Sequence, residues 1–310
     1  MKFNILVFLY TYQCTSECDI CTFSCSPKRK EKMDKKTAKR LIKEAKDNNI
    51  FLIGFAGGEP LLFKDEIIEL LEYCKSLDIV TTITSNCFWG DTYDNALEIV
   101  KELRNAGINH LKISSDDFHN KNIPYENVNN VLKAAKTEQL KVVIGCTSLK
   151  NSKRLQGTLE HIQDFSLGVN IIEQTCYPIG RACEKFNEDD YLYNLSFSDK
   201  CRDQGCITVS PDGIAYPCGN MCGMVPYREL GSVYESSLSD IIEKSKTKKD
   251  IAFIAEHGIL PYVNYIKENN IPVELPEKTI DTCHMCYEIF RREKNLPYLK
   301  KIVENFKYDE

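Results

Sequence analysis

Three cysteines crowd one short stretch of the chain, Cys14-x3-Cys18-x2-Cys21 in CTSECDIC. The whole sequence holds 15 cysteines, an odd number that cannot all pair within the chain, and in a reducing compartment few would pair at all. Metal ligation is therefore the default reading of the trio. Three thiolates on one loop can cap three irons of a 4Fe-4S cube and leave the fourth iron open to a small molecule. Zinc asks for a fourth ligand nearby, which Cys25 offers. Spacing alone leaves both open. A second set, Cys201, Cys218, Cys283 and Cys286, reads C-x11-G-x4-C with Gly213 inside it, then C-x2-C after a long gap. Four sulfurs complete a ligand shell for either a cluster or a zinc ribbon.

These residues need a frame. The opening MKFNILVFLYTYQC holds an apolar run too short to cross a bilayer and is followed by no small-residue cleavage site, so it reads as a buried first strand of a cytoplasmic protein. Further β-rich runs cover 51–56, 79–85, 109–115, 141–147 and 168–174. Between them lie amphipathic segments with charged outer positions, such as KKTAKRLIKEAKDNN and YDNALEIVKELRNAG. Asp34 is placed to cap the first, Asp94 sits in the first turn of the third, and Gly107 can close it. Strand and helix alternating six times predict an α/β fold with a parallel sheet and right-handed crossovers, a partial (β/α)6 barrel. Chemistry in such folds sits at the carboxyl ends of the strands. The rhythm breaks in KFNEDDYLYNLSFSDK, which divides the chain into a barrel over 1–195 and a smaller domain over 196–310. In the latter, ITVSPDGIAYPC reads as a hairpin around its PDG turn.

Formal net charge is -5, so the surface gives a nucleic acid no general attraction, and no membrane partner is expected. The basic run PKRKEKMDKK reads as a solvated helix start. Cys74 and Cys146 fall on apolar faces and read as small hydrophobes. Cys25, Cys87, Cys176 and Cys183 lie towards the strand ends without an assigned part. His119 and His284 are candidate ligands or bases, although a single histidine more often satisfies a local hydrogen bond.

Four strand ends carry FAGGEP, TSNCFWG, SSDDFH and YPIGRA, in that order, after the CTSECDIC loop. Together these resemble the radical S-adenosylmethionine (SAM) enzymes. The resemblance implies a SAM-binding 4Fe-4S cluster on Cys14, Cys18 and Cys21, with SAM on its open iron. It implies that Gly57 and Gly58 permit a tight approach and that Glu59 accepts from the SAM amino group. Ser85 and Asn86 would lie near the ribose, Ser114 and Asp116 would also meet SAM, and Arg181 would lie near its carboxylate. Ile20 stands where an aromatic is commoner. The second cysteine set is similar to the twitch or shortened SPASM region that carries an auxiliary 4Fe-4S cluster, with Cys206 an alternative to Cys201.

Within that superfamily nearly the whole chain resembles the short peptide epimerases that convert L-residues to D-residues in ribosomally synthesised precursor peptides. That implies a precursor peptide as substrate and an electron donor such as flavodoxin or ferredoxin. A 5'-deoxyadenosyl radical would remove a Cα hydrogen, and a cysteine thiol would return one to the opposite face. In the family the donor directly follows the auxiliary-cluster cysteine, a position held here by Gly219. Cys222 and Cys206 are the candidates to replace it. Without a donor, the radical would be captured as a thioether (sactionine) or a C–C crosslink. A zinc-stabilised binding module is the non-enzymatic alternative.

Overall fold

The computed structural model describes residues 2–162, 168–194, 201 and 203–305. The chain forms two compact units, one over Ile5–Leu192 with Ser210–Asp212, the other over Met1–Asn4, Tyr193–Val209 and Gly213–Glu310. The expected boundary at 195/196 lies outside the described residues.

In the first unit, β1 (Ile5–Thr11), β2 (Leu52–Gly57), β3 (Val80–Ser85), β4 (His110–Ser114), β5 (Lys141–Ser148) and β6 (Asn170–Thr175) pair in sequence order, every neighbour parallel. The order never reverses, as six repeats of an incomplete barrel require. Leu6, Phe8, Ile53, Phe55, Ile83, Leu111, Ile113 and Ile144 are fully buried on it. Parallel strands read as near-continuous apolar runs because helices cover them.

Those helices are α1 (Lys35–Asp47), α2 (Lys64–Ser76), α3 (Tyr93–Ala106), the single turn α4 (Asp117–Asn120), α5 (Tyr125–Thr137), α6 (Arg154–Ile162) and the short α7 (Ala182–Lys185). α1 turns Ala38, Leu41, Ile42 and Ala45 inward, the spacing of one helical stripe. Asp34 caps it by accepting from the Thr37 N–H, and Gly107 closes α3 in the left-handed region at φ 104°. Cys74 and Cys146 are buried on α2 and β5 as expected of small hydrophobes.

In the second unit, β7 (Cys206–Val209) and β8 (Ile214–Tyr216) form the expected antiparallel hairpin, and β9 (Gly231–Ser232) adds a third strand beside β8. Helices α8 (Leu238–Thr247), α9 (Lys249–His257), α10 (Leu260–Glu268), α11 (Thr282–Phe290) and α12 (Leu296–Asn305) follow. Phe253, Ile254, Tyr262, Ile266, Met285, Ile289, Phe290 and Leu299 pack into a core of this unit's own. The Tyr262 hydroxyl ties it by donating to the Leu299 carbonyl at 2.6 Å.

Glycine at β2's end is a packing demand. A Cβ on Gly58 would lie 2.0 Å from the Gln13 carbonyl oxygen, whereas one on Gly54 in the same strand would meet only ordinary contacts at 3.4 Å. Gly58→Ala is expected to cost roughly 1–3 kcal/mol in denaturant unfolding and Gly54→Ala about 1 kcal/mol or less. Equal costs would mean that the close approach is not what the glycine serves.

Candidate functional site

Cys14, Cys18 and Cys21 lie on an irregular loop after β1. Its base is closed where the Cys14 N–H donates to the Ser26 carbonyl (3.1 Å) and Ser26 donates back to Tyr12 (3.4 Å). Inside it Cys21 donates to the Cys18 carbonyl at 3.1 Å. Two other strand ends close on this loop. From β2, the Gly58 and Glu59 amides donate to the Thr11 and Gln13 carbonyls at 2.6 and 2.9 Å. Gly57 takes φ 121° there, a conformation that favours glycine. After β6, Gly180 at φ 61° brings Arg181 against the loop. The Arg181 amide donates to the Cys21 carbonyl (3.0 Å), and its guanidinium donates to the Cys18 and Cys25 carbonyls, each at 2.7 Å.

Glu59 is wholly buried. One carboxylate oxygen accepts from the Leu61 amide (3.0 Å) and the other from the Ser85 hydroxyl (3.1 Å) and the Asn86 amide (2.8 Å). Burial nevertheless pushes its pKa up to about 7. Ser85 also accepts from the Trp89 indole and the Cys87 amide. The turn so fixed points the Asn86 amide group at the loop, donating to Thr15 Oγ1 at 3.0 Å and reaching Cys14 Sγ at 3.6 Å. Ser114, half-buried, ends β4. Asp116 caps α4, accepting from the Phe118 and His119 amides, His119 Nδ1 (2.8 Å) and the Thr147 amide (2.8 Å). Burial would raise the Asp116 pKa, but the His119 charge and these bonds hold it below the usual carboxylate value. His119 is thus Asp116's partner. Beyond it, Asn122 Nδ2 reaches Cys18 Sγ at 3.8 Å and Lys121 pairs with Asp19 at 2.8 Å.

The first unit therefore gathers Gly57, Gly58, Glu59, Ser85, Asn86 and Arg181 about the cysteine loop. Sequence reasoning did not anticipate that Arg181 would span two loop carbonyls, or that Thr15 and Asn122 would take part. The left-handed Gly180 before the arginine is the one signal that the chain turns sharply there. Burial pushes the Cys14 thiol up to about 11 and Cys18 up to about 12. Cys25, 2% exposed, donates to the Cys21 sulfur through its thiol and, at 3.3 Å, its amide, which draws the Cys21 pKa down and its own up.

In the second unit, Cys283 and Cys286 stand one turn apart on α11, whose start is capped by Asp281 accepting from the His284 amide (2.9 Å). His284 is buried, its Nδ1 accepting from the Ile280 amide at 3.2 Å, so it serves the local fold. Cys218 follows β8, and its carbonyl accepts from Thr208 Oγ1 at 2.7 Å. The Asn220 amide points at its sulfur (3.4 Å). A Cβ on Gly223 would lie 2.4 Å from Cys218 Cβ. Cys201 is half-buried, and Cys283 Sγ is 3.8 Å from Asp203 Oδ2. Buried Arg228, unmarked by any sequence motif, donates to Cys286 Sγ at 2.9 Å. Cys222, 1% exposed, lies in the 3-10 turn Met221–Gly223, where burial and then the Cys283, Asp281, Cys286 and Cys218 fields raise its pKa. Cys206 Sγ would lie 3.2 Å from a Cβ on Gly219.

Among the described residues no three His, Cys, Asp or Glu side chains converge as a single metal ion requires. A cube takes one sulfur at each iron and so asks for them spread around a volume. Both sites hold idle buried polar atoms suited to a further group, Ser16 Oγ in the first loop and Arg228 Nε beside Cys286.

Glu59→Gln turns one of the two oxygens on which three donors converge into an NH2 group, which then faces at least one of them, and is expected to cost about 1–3 kcal/mol in unfolding near pH 5. Because the folded pKa lies above the ordinary value, native Glu59 binds its proton more tightly than the unfolded chain does. Wild-type stability then falls as pH rises from 4.5 towards 7. The gap between wild type and variant should narrow over that window, and a gap constant with pH would contradict the buried, proton-binding carboxylate.

Residues 8–156 match the Radical SAM superfamily and residues 201–287 match an iron–sulfur cluster-binding domain. The putative peptide biosynthesis protein YydG of Bacillus subtilis (strain 168) is 27% identical over 307 residues, covering 95% of this chain and 96% of that protein. GTP 3',8-cyclase of Campylobacter jejuni (strain RM1221) is 31% identical over 187 residues, 56% of each chain. The solved structure of native anSMEcpe with bound AdoMet shares the fold at TM-score 0.61 and 15% identity, over 97% of this chain and 99% of that one. The cofactors that accompany these domains are 4Fe-4S clusters and SAM, and the two thiolate sets with their idle donors fit them. The chain carries a radical SAM domain over residues 8–156 and, over residues 201–287, a SPASM iron–sulfur cluster-binding domain.

Proposed function

We propose that this protein is a radical SAM enzyme that modifies a ribosomally synthesised precursor peptide, and that the modification is L-to-D epimerisation. The observation that carries the reading is the near full-length likeness to a putative peptide biosynthesis protein, together with a loop of three cysteines held from three strand ends. When bound, the cluster and SAM supply a 5'-deoxyadenosyl radical that takes hydrogen from a peptide Cα.

The chain's residues do the rest. Cys14, Cys18 and Cys21 hold the cube, and Arg181 fixes their loop by its carbonyls. Glu59, with three of its acceptor sites filled, positions Ser85 and Asn86 and keeps one site for a donor on SAM. Asp116 is filled by the His119 ring and three amides, so its part is to set the β4 turn beside Ser114. Cys201, Cys218, Cys283 and Cys286 hold the auxiliary cluster. Cys222 or Cys206 returns the hydrogen atom, after which the external electron donor must restore the thiol.

Gly219, which has no side chain to donate, favours the second reading, thioether or crosslink formation. Turnover in heavy water separates the two. A thiol exchanges with solvent, so epimerisation adds one deuterium per inverted residue, whereas a thioether or crosslink removes two hydrogens from the peptide. Cys222→Ala and Cys206→Ala, assayed singly, should divide into one variant that loses deuterium uptake and one that keeps it. Uptake in both would remove the donor assignment. Zinc without sulfide in anaerobically purified protein, and no methionine released from SAM, would return the chain to a binding module.

A further inference from the structure

The second cysteine set contains a cation that nothing above uses. Arg228 ends the 3-10 turn Pro226–Arg228 and is 4% exposed. Its Nη1 lies 2.9 Å from Cys286 Sγ, while its Nε is buried without a hydrogen-bond partner. The guanidinium rests over the Phe290 ring at 5.5 Å. Among the described residues no carboxylate lies within ion-pair distance of it. Asp250 is also buried, with Oδ2 unpartnered, and acts on Arg228 only through its field.

An arginine cannot shed its proton to escape such a place. A buried charge lacking a close counter-charge costs several kcal/mol, and a neutral thiol is a weak acceptor for so strong a donor. The arrangement makes sense when the sulfur it touches is an anion, since a charge-assisted bond is about twice as strong as a neutral one. The charges of Cys286 and Cys218 act most strongly on Arg228, followed by those of Asp250 and Cys201. Four thiolates around a cube give a net negative centre, and each electron it accepts adds to that charge. A fixed cation beside it favours the reduced form, because net charge and hydrogen bonds to the sulfurs set cluster potentials.

We propose that Arg228 is the counter-charge of the auxiliary cluster, binding the Cys286 sulfur through Nη1 with Nε left for the group those cysteines hold, and that it raises the cluster's reduction potential. This rests on the reading that Cys201, Cys218, Cys283 and Cys286 hold that cluster.

The test uses the full chain with Cys14, Cys18 and Cys21 changed to alanine, so that only the auxiliary cluster reports. Iron and sulfide content and the midpoint potential are measured for that protein and for Arg228→Gln and Arg228→Lys made in it. The expected result is a retained cluster whose potential moves clearly negative in Arg228→Gln and less so in Arg228→Lys. An unchanged potential in an Arg228→Gln protein with full iron content overturns the proposal. Should the glutamine variant lose the cluster, the lysine variant decides. Iron restored by the charge alone supports the counter-charge, and a lysine variant equally empty with its fold intact by circular dichroism overturns it. Absence of iron and sulfide from the parent protein, with Arg228 in place, overturns instead the reading of the four cysteines.

Discussion

Three sulfurs must be held in space by a loop with no ladder of its own. A helix or strand fixes its residues through its own hydrogen bonds, but the Cys14–Cys25 segment has few, and its carbonyls are taken by other strand ends. Gly58 and Glu59 donate to Thr11 and Gln13 at the base, and Arg181 takes Cys18, Cys21 and Cys25 along the rim. Both approaches pass through glycines, because any side chain at residue 58 or 180 would strike a carbonyl oxygen, at 2.0 and 2.3 Å. Preorganisation of the loop is therefore distributed over β1, β2 and the turn after β6, and a disturbance at any one reaches the cysteines.

The two units treat their sulfurs differently. In the first, the arginine grips peptide oxygens, and the sulfurs are met by neutral donors, Asn86 at Cys14, Asn122 at Cys18 and Cys25 at Cys21. In the second, an arginine touches a sulfur directly. Neutral amides orient a thiolate with little effect on the net charge of what it binds. A buried guanidinium changes that charge by a full unit in a medium of low dielectric. Chemically similar ligand sets can thus be tuned apart by what surrounds them.

Much of the first unit was legible because its signals are local. Apolar runs fell on all six strands, Asp34 and Gly107 capped where capping chemistry says they should, and the GGE, SN and GRA strings lay at strand ends. What was not legible was direction. Glu59 and Arg181 stand where motifs put them, yet their polar atoms are largely engaged by the chain, which depends on the meeting of segments 26 to 163 residues apart. The second unit's helices escaped notice because they are only 9 or 10 residues long and two carry proline in their first turn. Residues of α9 to α12 pack around Tyr262 and Phe290, the tertiary contact on which helices this short depend. Arg228 lay in an apolar run that gives no hint of burial with sulfur.

The surplus thiols of the second unit raise one packing question that composition cannot pose. Residue 219 has no side chain, but the space where one would begin is not vacant: Cys206 Sγ and Asp203 Oδ1 each lie 3.2 Å from the point a Cβ would occupy. A side chain at 219 would need the Cys206 sulfur to give by a few tenths of an ångström. Glycine at 219 and cysteine at 206 are therefore a single steric choice, in which a sulfur supplied by the first residue of β7 fills the volume beside Cys218. Cys222 is the opposite case, its amide donating to Asn220 Oδ1 in a turn where its buried sulfur feels the charges of Cys283, Cys286 and Cys218. A thiol that returns hydrogen must stay free of iron, and that demand is harder to meet for a sulfur set among the ligands than for one that only abuts the chain beside them.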